Sequence, residues 1–184
     1  MTIAARPQAI ARNEDRIISF YQVRANRERN EPVEMESAVL IVRVLLGSLL
    51  LAAGVLKLGH AAELAATIAT FRLLPAFIVG PLALALPYIE LLLGAYLIAG
   101  LFTKAVAAVA AFQFTLYAAA IASAVARHIP ANCGCFGPND SAVADWPHVA
   151  FDLLLAAAAI FVASRAPGAL AVDRRLRGTL GTRA

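Results

Sequence analysis

Residues 39–58 read VLIVRVLLGSLLLAAGVLKL, eighteen uncharged residues interrupted only by Arg43 and Lys57. A bilayer core about 30 Å thick needs roughly 20 apolar residues of helix, at about 1.5 Å of rise per residue. This stretch meets that length, so it reads as the core of a spanning helix over about 37–58. Three more stretches qualify, at about 77–101, 105–126 and 147–164. Between the first two, Ala61–Phe71 keeps a helical period that Pro75 stops. The second stretch contains Pro81 and Pro87, which read as interruptions. The whole chain is 61% hydrophobic, against about 45–50% for soluble domains. The expected fold is all-α, an integral membrane four-helix bundle over 37–164, with a polar tail at 1–36 and a basic tail at 165–184.

Charge supplies an orientation. The first 36 residues hold six arginines and six acids and lack an apolar signal-peptide core, which argues against a cleaved leader. Ile10, Ile17, Ile18 and Phe20 among Arg12, Arg16 and Arg24 fit either an interfacial helix or a cytoplasmic tail. Of the 16 Lys and Arg residues, the two tails and Lys104 hold 12, and four crossings put all of these on one side. The positive-inside rule then expects both termini in the cytoplasm and the loop at 127–146 on the periplasmic face of a bacterial inner membrane. A net charge of +4 with acids interleaved among the tail arginines gives no nucleic-acid signal. The partner implied directly is the lipid bilayer, and the small-residue faces suit association with other membrane subunits or with a second copy.

Arg43, Lys57, Glu90 and Asp152 lie within or at the ends of spans, where a charge costs several kcal/mol unless it faces the bundle interior and is paired. Arg43, Gly47, Gly54 and Lys57 fall within an arc of about 80° on one helix face. Gly80, Pro87, Glu90 and Gly94 share an arc on the second span. Counting rise from the span ends pairs Arg43 with Glu90 and Lys57 with Asp152. Gln113 and Tyr117, one turn apart, read as interhelical packing. His60, His128 and His148 lie near the loop, yet their spacing with the cysteines matches no zinc pattern, so no metal is expected.

That loop carries both cysteines, in Asn132-Cys133-Gly134-Cys135-Phe136-Gly137. A bridge between residues i and i+2 needs the intervening residue to bend, which glycine does best. So small a ring adds little stability, and a comparatively strained bridge is a reducible one. The pair therefore reads as a redox pair, with inert or static cysteines as the competing reading. A nearby Arg127 or His128 would favour the thiolate.

The combination of Arg43, Gly47, Gly54 and Lys57, then Phe71-Arg72-Leu73-Leu74-Pro75, then Leu86-Pro87-Tyr88-Ile89-Glu90-Leu91, then Cys133-Gly134-Cys135-Phe136-Gly137 resembles the MauE family of methylamine-utilisation membrane proteins. That family is similar in turn to DoxX-like four-helix membrane proteins. The resemblance covers about residues 38–164. It implies a part in maturing methylamine dehydrogenase together with a periplasmic thioredoxin-like partner. Cys133 and Cys135 would be the redox pair, and Arg43, Lys57 and Glu90 the membrane-embedded signature. No residue demands a cofactor, and a quinone is admitted as a deeper electron acceptor. The alternative is a non-catalytic subunit that anchors or stabilises a partner complex. A small transporter fits less well, because the two halves hold no matching pair of broken spans.

Overall fold

The computed structural model describes residues 33–134, 137 and 142–173. The reading of residues 10–24 as an interfacial helix, and Cys135, lie outside that range. The described chain is all-α. Helix α1 spans Val33–Lys57, α2 Ala61–Thr70, α3 Ala76–Ala99, α4 Thr103–Ala126 and α5 Trp146–Arg165. All but α2 are long and apolar enough to cross a membrane, which fits a multi-pass membrane protein. Their packed faces meet in a core that includes Leu46, Leu50, Leu97, Phe114, Ala159 and Val162. Phe77, Leu92, Leu116 and Leu154 point outward and are exposed. Helices apolar on every face bury one side in protein and offer the other to hydrocarbon.

The expected interruption of the second span does not occur. Helix α3 is continuous through Pro81 and Pro87. Proline removes one helical hydrogen bond, but neighbouring helices and local adjustment keep such a helix intact in apolar surroundings.

One end of the bundle gathers the start of α1, the end of α3, the start of α4 and the end of α5. The chain after α5 fastens them. Ala169 N–H donates to the Glu36 carbonyl at 3.3 Å, and Asp173 N–H to the Gly100 carbonyl at 3.1 Å. The Asp173 carboxylate accepts from Phe102 N–H and Thr103 N–H, both at 2.8 Å. Those are first-turn donors of α4 with no partner inside the helix, so a residue 70 positions away supplies its cap. The opening residues of the basic tail are thus part of the packed structure.

The opposite end carries α2 and the cysteine loop. The loop folds back on itself: Cys133 N–H donates to the Ala142 carbonyl at 2.8 Å and Ala144 N–H to the Ala131 carbonyl at 2.9 Å. Asn132 and Val143 form an isolated antiparallel bridge. Two glycines let the loop lie close on the helices beneath. Gly134, at φ 65°, has Thr67 Cγ2 at 2.8 Å from where a Cβ would stand. Gly137, at φ 91°, has the Leu56 carbonyl oxygen at 2.6 Å from that point. Any other residue there adds both backbone strain and a clash.

Helix α5 starts as its sequence suggests, with Asp145 as the cap and Pro147 in the first turn. The Asp145 carboxylate accepts from His148 N–H at 3.1 Å and meets the His148 ring. Those bonds, side chain first, hold its pKa below the ordinary value of 3.8. A lowered folded-state pKa contributes stability at pH above the ordinary value, lost as pH falls through the folded one. Asn caps a helix about as well as Asp without titrating. Asp145→Asn is therefore expected to melt like the wild type near neutrality and to lose less stability below about pH 4. Melting curves of the two proteins across that range check it.

Candidate functional site

Three glycines set the site by fixing how α1 lies on α3. A Cβ on Gly47 would stand 2.8 Å from the Gly94 carbonyl oxygen, and one on Gly54 would stand 2.9 Å from the Pro87 carbonyl oxygen. Rising numbers on α1 thus meet falling numbers on α3, so the helices run antiparallel with their backbones in contact. Arg43 then falls beside Gly100, beyond the end of α3, and Lys57 falls within reach of Glu90.

This register corrects both pairings expected from span depth. Lys57 Nζ lies 2.6 Å from Glu90 Oε1, with the side chains 2% and 1% exposed. Arg43 is at the far end of the bundle, where Nη1 donates to the Pro167 carbonyl at 3.0 Å and Nη2 to the Ala169 carbonyl at 3.4 Å. Depth counted from assumed span ends ignored the helix contact that decides which charges meet. Arg43 is buried and serves to tie the chain after α5 to the bundle.

Helix α4 completes the cluster. Tyr117 O–H donates to Glu90 Oε1 at 2.7 Å, and Gln113 Nε2 stands 3.4 Å from the same oxygen and 2.9 Å from the Tyr117 hydroxyl. Lys57 Nζ lies 5.7 Å from the Tyr117 ring centroid, on its face. Gln113 and Tyr117, expected to be packing, are partners of the buried carboxylate. A polar i, i+4 pair on an otherwise alanine-rich span was the available signal.

Every bond that the Glu90 carboxylate accepts goes to its Oε1. Glu90 Oε2 has no hydrogen-bond partner among the described residues, and neither has Asp152 Oδ2. Both residues line a cavity of about 170 Å³. Its walls include Leu49, Leu50 and Ala53 of α1, Phe114 of α4, and Phe151 and Leu155 of α5, with Ala142 and His148 toward the cysteine loop. Asp152 is 4% exposed and faces this space instead of forming the expected pair with Lys57. The site is thus an apolar chamber with two buried carboxyl groups, one of them held by a cation and a phenol.

Cys133, in the folded-back loop, is 8% exposed and packs with Phe71, Ala118 and Ile121, and its sulfur is not a free thiol. Its backbone partner Ala142 lines the cavity. The Arg127 guanidinium donates to the Ser123 and Phe71 carbonyls. His60 lies near the surface, 3.7 Å from Glu63. Among the described residues no group of three or more His, Cys, Asp or Glu is gathered to hold a metal ion.

The family model described as methylamine utilisation protein MauE matches residues 35–165. A methylamine utilization protein MauE of Paracoccus denitrificans is 32% identical over 130 residues, covering 70% of each chain. One of Methylophilus methylotrophus is 34% identical over 139 residues, covering 73% of this chain and 70% of its own. No solved structure matches.

Proposed function

The chain belongs to the MauE family of methylamine utilisation proteins, and from that premise we propose that it is a membrane thiol–disulfide exchange factor. It lies in the bacterial inner membrane with both termini cytoplasmic and the cysteine loop periplasmic, as the arginine distribution favours. Its partner is a periplasmic thioredoxin-like protein, and the pathway served is the maturation of a methylamine dehydrogenase-type enzyme. The observation that carries the reading is the placement of Cys133. Its backbone is bonded to Ala142, which lines the chamber where one oxygen each of Glu90 and Asp152 has no partner among the described residues. A sulfur in a loop tied to the wall of a chamber with buried carboxyl groups is equipped for exchange; a static staple needs no such floor.

The chemistry balances without further reagents. A partner thiolate attacks one sulfur of the Cys133–Cys135 bridge, the S–S bond breaks, and the departing thiolate takes a proton. The partner's second thiolate then attacks the mixed disulfide, leaving the partner oxidised and the loop a dithiol. Lys57, Glu90 and Asp152 tune the charge beneath the loop, and Arg43 holds the opposite end together.

Single Cys133→Ala and Cys135→Ala variants in native membranes are expected to trap a covalent partner that reducing agent releases. If neither traps one and both keep wild-type function, the exchange reading falls and the non-catalytic anchoring subunit takes its place.

A further inference from the structure

We propose that the chamber beside Glu90 and Asp152 binds a small primary alkylammonium ion, a ligand that goes beyond thiol exchange and does not depend on it. Three observations define the occupant. The first is the pair of acceptors. Glu90 Oε2 and Asp152 Oδ2 have no hydrogen-bond partner among the described residues, in residues 1% and 4% exposed, and both residues line the cavity. A buried carboxylate oxygen without a donor is costly. An ammonium group brings three donors and no acceptor, so a single nitrogen can serve both oxygens.

The second is charge. Two carboxylates and the Lys57 ammonium leave one negative charge in a buried cluster, and an uncompensated charge there is expensive. One monovalent cation cancels it. A divalent ion overshoots, and calcium takes about six to eight oxygen ligands, more than two carboxyl groups hold.

The third is the wall. Leu49, Leu50, Ala53, Phe114, Phe151 and Leu155 make it mostly apolar. A hydrated alkali ion would set its waters against hydrocarbon, where each lacks the roughly two to four polar partners a buried water needs. An alkyl chain is at home there, and the aromatic rings attract the cation it carries. About 170 Å³ suits a ligand of about six non-hydrogen atoms, since a cavity of about 150 Å³ takes benzene. Pentylammonium has that size. The way in is open: His148 lines the cavity with its side chain 32% exposed, and Phe151 is exposed as well.

The test titrates the full chain in lipid nanodiscs with pentylammonium chloride in a calorimeter, with empty nanodiscs as the blank. Saturable one-to-one binding is expected. 1-Pentanol has nearly the same shape without the charge, and should bind roughly ten- to a hundredfold more weakly, the worth of a hydrogen bond to a charged group. Asp152→Asn keeps the shape of the site and removes one charge, and should weaken pentylammonium binding by a similar factor. Leu49→Phe leaves both carboxyl groups in place and adds bulk at a partly exposed wall; it should abolish binding, and it serves should Asp152→Asn fail to fold. Melting curves establish which variants are folded. No saturable binding beyond the blank, equal affinity for 1-pentanol, or binding that survives the folded variants overturns the site. Displacement of pentylammonium by an equal concentration of sodium chloride assigns the chamber to a small hydrated ion and overturns it too. None of these results bears on whether the cysteine variants trap a partner.

Discussion

Lys57→Met is expected to destabilise the protein by about 3–5 kcal/mol, the usual cost of leaving one member of a buried ion pair alone. Lys57 Nζ is the only cation among the described residues within 4.0 Å of Glu90, and methionine fills similar volume without charge. The Glu90 carboxylate would keep Tyr117 and Gln113 as donors, which softens the loss without neutralising the charge. Glu90→Gln alone strands the ammonium in the same way. The double variant Lys57→Met, Glu90→Gln removes both charges, keeps a carbonyl for the Tyr117 hydroxyl, and should recover most of the loss. Thermal unfolding in detergent gives all three values, and their non-additivity is the coupling of the pair. A neutral Lys57→Met would mean that the ion pair contributes nothing to the stability of the folded protein.

What the sequence made legible follows from the reach of each signal. Four spans stand out because a bilayer demands about 20 apolar residues and nothing else in a chain needs so many. The start of α5 is legible because Asp145, Trp146 and Pro147 satisfy local rules of capping. The charged residues were recognised as buried, for an isolated charge in hydrocarbon is too costly to be incidental. Their partners were not found. Pairing Arg43 with Glu90 rested on depth, which depends on where each helix is taken to start, and α1 begins at Val33. The information was present in the glycines. Opposing Gly47 to Gly94 and Gly54 to Pro87 fixes the register, which leaves Lys57 nearer to Glu90 than Arg43 is and within reach of its long side chain. The cap that Asp173 places on α4 was out of reach, because no local pattern links residues 70 positions apart. The pairing of Cys133 with Ala142 needs the whole loop in place, and the same is true of a chamber whose walls come from four helices.

The glycine contacts also predict a sharp contrast between two glycines of one helix. A Cβ at Gly94 would stand 2.7 Å from the Gly47 carbonyl oxygen and 2.9 Å from Leu51 N. Both are backbone atoms, so no rotamer change relieves the overlap, and α1 must move off α3. Overpacking of this kind costs about 1–3 kcal/mol, and the movement also lengthens the Lys57–Glu90 pair and weakens the contacts of closely approached backbones. Gly94→Ala should therefore lie at the upper part of that range. Gly80 lies on the same helix with nothing within 4 Å of its would-be Cβ. There alanine only improves helix propensity, by up to about 1 kcal/mol, and Gly80→Ala should be neutral or slightly more stable. Melting the two variants side by side isolates the helix contact from propensity. Adding Gly94→Ala to Lys57→Met, Glu90→Gln carries the argument further. If the glycine acts partly by stretching the ion pair, its cost must shrink once the pair is gone; an unchanged cost would mean that the glycine seam and the charge cluster stabilise the bundle independently.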